Sequence, residues 1–129
     1  MVHALALTDY EGAPLLISAS DGAIRSWRLD GKPGPLALER AHEGWIYALA
    51  LTEYEGAPLL ISAGQAGAIR SWRLDGRPGP LALERAHEGA IDALALTEYE
   101  GAPLLISADE EGVILAHRIR PSRQEDMAS

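Results

Sequence analysis

The sequence YEGAPLLISA occurs three times without change, beginning at Tyr10, Tyr54 and Tyr99. A second, AIRSWRLDG followed by Lys or Arg and then PGPLALERAHEG, runs from Ala23 to Gly44 and again from Ala68 to Gly89. Ala4 recurs as Ala48 and Ala93, and Trp27 as Trp72, so the chain is almost three copies of a unit of about 45 residues. The offset varies by one residue in a single loop, where Ser20-Asp21-Gly22 becomes Gly64-Gln65-Ala66-Gly67 and then Asp109-Glu110-Glu111-Gly112. Every other residue has to be read against that period, because a feature that recurs in each unit serves the unit.

Turn residues divide the unit into four short segments. In the first copy these are Ala4 to Thr8, Pro14 to Ala19, Ala23 to Leu29 and Leu36 to Arg40. They are separated by Asp9-Tyr10-Glu11-Gly12, Ser20-Asp21-Gly22 and Asp30-Gly31-Lys32-Pro33-Gly34-Pro35. The last of these, with two prolines and two glycines, predicts irregular structure. Leu and Ala favour helix by propensity, but five to seven residues between turns is a strand length. Four strands joined by hairpin turns make an antiparallel meander. The inner segments Ala4-Leu5-Ala6-Leu7 and Leu15-Leu16-Ile17 do not alternate apolar with polar, so both faces of each sheet must be covered. The fourth segment is more polar. An apolar inner strand grading to a polar outer one, repeated side by side, is the pattern of radial blades.

With 19 acids against 11 bases, the net charge of -8 argues against nucleic acid or an anionic membrane surface as partner. There is no cysteine, which excludes disulfides and thiolate-ligated metals. The N-terminus has no signal-peptide layout and no apolar run has the length of a membrane span, so the expected location is the cytoplasm.

The period, with Ala41-His42 and Ala86-His87 near the unit boundaries and Trp27-Arg28 and Trp72-Arg73 closing the third segment, resembles the WD-repeat β-propeller family over residues 1 to about 120. The resemblance implies an all-β fold of four-stranded blades. They would span 1–44, 45–89 and 90–120, the last without its outer strand, before a polar tail at 121–129. It also implies a hydrogen-bonded tetrad of His, Ser, Asp and Trp. Carried over residue by residue, the first unit supplies Ser18, Asp21 and Trp27. The second supplies His42, Ser62 and Trp72, with Ala66 where Asp is expected. The third supplies His87 and Ser107, with Glu111 as its acid and His117 in the Trp position.

Ser, His and Asp together also suggest a nucleophilic triad, but the same residue types recur at the repeat period, which favours a structural role over catalysis. His42 and His87 lie a whole unit apart with no close companion ligand, so no metal site is expected. No cofactor is implied, and Asp109-Glu110-Glu111-Gly112 reads as a solvated acidic turn rather than a calcium loop. Trp45 and Tyr47 break the repeat where the first unit has Met1 and His3 and the third has Ala90 and Asp92, which marks them as a candidate partner-binding rim.

Three blades cannot close a ring and would leave one bare apolar face at each end. Since those faces are the same ones that meet inside the chain, head-to-tail self-association is the expected solution. The expected function is therefore a non-catalytic, self-assembling propeller scaffold or protein-interaction module. A homodimer with six blades is preferred over a homotrimer with nine. The alternative is a propeller binding a carbohydrate or other small ligand once per blade.

Overall fold

In the computed structural model, which describes residues 2–119, the chain is all-β among the described residues. The first sheet holds β1 (Ala4–Tyr10), β2 (Ala13–Ala19), β3 (Ile24–Arg28) and β4 (Pro33–Leu38). The second holds β5 (Ile46–Tyr54), β6 (Ala57–Gly64), β7 (Ile69–Arg73) and β8 (Pro78–Leu83). The third holds β9 (Ile91–Tyr99), β10 (Ala102–Asp109) and β11 (Ile114–Arg118). Each is an antiparallel meander with strands in sequence order, giving sheets of 4, 4 and 3 strands. Among the described residues no helix is long and apolar enough to cross a membrane. The tail at 121–129 lies outside the described residues.

Two local expectations are corrected. The first strand runs on to Tyr10, and the turn after it is only two residues, Glu11 and Gly12, with φ of 52° and 81°. The same Glu-Gly pair turns at Glu55-Gly56 and Glu100-Gly101. Positive φ at both central residues is the type I′ hairpin, whose twist matches that of the flanking strands, so the ladder extends right up to it.

The second correction concerns Pro33-Gly34-Pro35, which begins β4 instead of interrupting the structure. The strand is at the outer edge, where a missing N–H costs no ladder bond on the solvent side. The register shifts between Arg25 and Trp27, a bulge that leaves Leu36 free to donate its N–H to the Ser26 hydroxyl at 2.8 Å. Ser71 accepts from Leu81 at the same distance in the second sheet. At Gly34 a Cβ would collide with Ser26 and Leu15, so the edge strand can lie this close only with glycine there.

The sheets pack face to face in order. Leu15, Ile17, Ala19 and Ile24 of the first share a buried cluster with Ile46, Leu60 and Leu74 of the second. Leu59, Ile61, Ala63 and Ile69 on the second sheet's other face share another with Ile91 and Leu105 of the third. Strand β1 lies against β5 and β5 against β9, so the alanine-rich first strands gather along one side of the stack.

Candidate functional site: polar junctions, an aromatic rim and two bare faces

At each junction a His from the connection leaving one sheet reaches a Ser of the next. Between the first and second sheets, His42 Nε2 lies 2.6 Å from Ser62 Oγ, and Trp72 Nε1 lies 2.9 Å from the same oxygen. An indole N–H only donates, so Ser62 accepts from Trp72 and gives its own proton to His42 Nε2. His42 is thereby fixed as a neutral imidazole protonated on Nδ1. Burial, reinforced by the Arg70 guanidinium, lowers its pKa to about 4, with Glu84 and the Ser62 backbone opposing. Arg70 is held by Glu84 and donates to the Ala41 carbonyl at 2.6 Å, tying the second sheet to the connection that carries His42.

Between the second and third sheets, His87 Nε2 lies 2.7 Å from Ser107 Oγ and its Nδ1 lies 2.8 Å from Asp109 Oδ2. His117 Nε2 lies 2.9 Å from the same Ser107 oxygen, occupying the place of the Trp as the alignment expects. The acid is Asp109, not Glu111 as the sequence suggested. A bulge at Ala108 and Asp109 carries β10 one residue further than β2, and the carboxylate then accepts the N–H groups of Glu111 and Val113 at 2.9 and 3.0 Å. Burial pushes the Asp109 carboxyl up, but the bonds from His87 and those two backbone groups outweigh it and leave its pKa lowered.

The equivalent residue of the second sheet is Gly64, where any Cβ would drive into the Trp45 carbonyl oxygen. Ala66, where the alignment placed the missing acid, is exposed. In the first sheet Trp27 donates to Ser18 at 3.0 Å. Asp21 is not joined to that pair: it lies exposed in the turn, in a cleft it shares with Arg40, His42 and Arg70. Asp109, His87 and Ser107 do form an Asp-His-Ser chain. Ser107, however, is fully buried and its hydroxyl is committed to two imidazoles, so no substrate carbonyl has a path to it. No buried side-chain polar atom among the described residues lacks a partner.

Trp45 and Tyr47 lie together, and they are joined by His3, which sequence reasoning passed over. The His3 and Trp45 rings stack with centroids 4.8 Å apart, while Tyr47 meets both edge-on at 5.8 and 6.3 Å. Gln65 clamps the Trp45 backbone, donating to its carbonyl at 2.8 Å and accepting its N–H at 3.2 Å. The available signal was the repeat itself, since His3 and Tyr47 are equivalent positions on adjacent first strands.

The two outward faces of the stack repeat residues that are buried inside it. Leu29 is 67% exposed while its copy Leu74 is 3% exposed. Ile114 is 68% exposed where Ile69 is fully buried, and Tyr99 is 56% exposed against 7% for Tyr54. Leu5 and Leu7 stand open on the first sheet, whereas Leu49 and Leu51 pack against the first core cluster.

No family model matches the chain, and no curated protein matches it. Among solved structures the chain is similar to the crystal structure of the computationally designed Ika8 protein, with a TM-score of 0.69 and 22% identity. The match covers 92% of this chain and 33% of that one, so the chain spans about a third of its length. At that identity the likeness concerns the fold alone.

Proposed function

We propose that the chain is a non-catalytic β-propeller scaffold of the WD-repeat type whose partner is itself. Each sheet is a blade, and the ring closes head to tail. The observation that carries this reading is the inequality between repeated residues: Leu29 and Leu74, or Ile114 and Ile69, have the same identity and register but are bare at the ends and covered within. The surface that covers them within the chain is offered again, unused, at the opposite end of another copy. The His-Ser-Trp bridges support the WD-repeat assignment, since they join consecutive blades rather than strands of one blade. With three blades per chain, two copies make a six-bladed ring and three make a nine-bladed one. The small alanines along β1, β5 and β9, set against the bulk of Trp27 and Trp72 farther out, give a wedge that favours six.

The test is a pair of substitutions. Leu29→Glu places a charge on the bare face, where it costs the single chain little, but buries it on closure, where an unpaired carboxylate costs several kcal/mol. This variant should stay folded and lose self-association. Leu74→Glu, the same change inside the chain, should unfold it. A Leu29→Glu protein that associates like the wild type would overturn the proposal.

A further inference from the structure

We infer that the junction between copies is keyed by His3 of one copy and Asp92 of the next; this rests on the self-assembly proposed above and specifies its contact at the rim. The inside of the chain supplies the geometry. His3 at the start of the first sheet's inner strand meets Tyr47, its equivalent on the second sheet, and Trp45 two residues earlier. At the junction of the first and second sheets, equivalent rim positions therefore touch, and the same placement is carried over to the junction between copies. Asp92 holds that position on the third sheet and is exposed. When the third sheet of one copy covers the first sheet of another, Asp92 takes the place that His3 has within the chain, and His3 of the other copy takes the place of Tyr47. A carboxylate then meets an imidazole.

The surroundings fix the sign. On its own copy His3 shares its end of the stack with the rings of Trp45 and Tyr47, with Asp21 in the β2–β3 turn and with Glu43 on the connection to β5. The cations Arg40 and Arg70 line the outer cleft together with Asp21 and Glu43. The incoming third sheet brings Asp92 and the turn acids Glu110 and Glu111. With His3 neutral the rim is a meeting of acids. With His3 protonated an imidazolium faces Asp92, and closure is favoured. The contribution is accordingly present at low pH and lost as the pH rises through the histidine range.

Sedimentation equilibrium of the full chain, of His3→Gln, of Asp92→Asn and of the double variant, at about pH 8 and about pH 6, tests the pairing. The wild type should associate about twofold to fivefold more tightly per junction at the lower pH, the range of an exposed ion pair. Either single variant should abolish that gain, and the double variant should be no weaker than the singles. Thermal melts of the variants at neutral pH check that each remains folded. Association that ignores pH, or single-variant effects that simply add, would overturn the pairing while leaving self-assembly standing. A wild type that stays monomeric would overturn both.

Discussion

Acid should loosen the stack through His42, and the size of the effect follows from its surroundings. In the unfolded chain an imidazole titrates near 6.5, whereas in the fold His42 titrates at about 4. The folded value is the lower one, so between those limits the unfolded state binds the extra proton, and stability falls as the pH falls. From pH 7 to pH 5 the loss comes to about 2 kcal/mol, or about 6–10 °C in Tm for a domain of this length. The assay is thermal unfolding by circular dichroism in the Leu29→Glu background, where association does not contribute. His42→Gln keeps an acceptor for Ser62 but cannot titrate, so its Tm should be lower at pH 7 and fall less towards pH 5. Part of the slope that remains belongs to His117, whose pKa burial and the neighbouring His87 also lower, with the same sign. Asp109, with its lowered pKa, keeps its contribution above the ordinary carboxylate range and loses it only in stronger acid. Equal pH slopes for His42→Gln and its parent would refute the neutral, hydroxyl-bonded imidazole.

Trp72→Ala should cost about 3–5 kcal/mol, because it removes an indole packed against the first core cluster together with the donor to the buried Ser62; an unchanged Tm would refute that packing. Changing both Trp45 and Tyr47 to Ala should leave the strand spectrum intact and cost at most about 1–2 kcal/mol, since Trp45 is an exposed rim residue and Tyr47 packs only edge-on. Unfolding of that variant would place the pair in the core. The chain should not bind duplex DNA with micromolar affinity at physiological salt, given a charge of -8 that the proposed self-association would multiply; a filter-binding isotherm in that range would contradict this.

The repeat made most of the fold legible, because one unit read three times averages out local ambiguity. Strand identities and order followed from it. The edges did not: Pro33 enters a strand because β4 is an outer edge, a placement that only the pairing reveals. Among the site residues, the His-Ser contacts and the Trp bonds follow from the resemblance, as does His117 standing in for Trp. The acid was misplaced because a bulge at Ala108 and Asp109 changes which turn residue faces His87, and bulges leave no reliable mark in a sequence. Gly64 is informative in retrospect. It shows that the second junction partner of a His can be excluded by a neighbouring carbonyl rather than simply substituted. The part of His3 is not legible from residue type alone, because a single imidazole shows no aromatic partner until the first strands are laid side by side and its equivalence to Tyr47 becomes a contact.

The central claim is that the bare faces of the first and third sheets are one junction waiting for a second copy. Native mass spectrometry of the full chain at neutral pH tests it most directly. The account predicts a species of twice the 13.8 kDa chain, with no tail of higher multiples, because a closed six-bladed ring has no free face left. A mass of three chains would replace the six-bladed ring with a nine-bladed one, and a chain that remains single at tens of micromolar concentration would contradict ring closure itself.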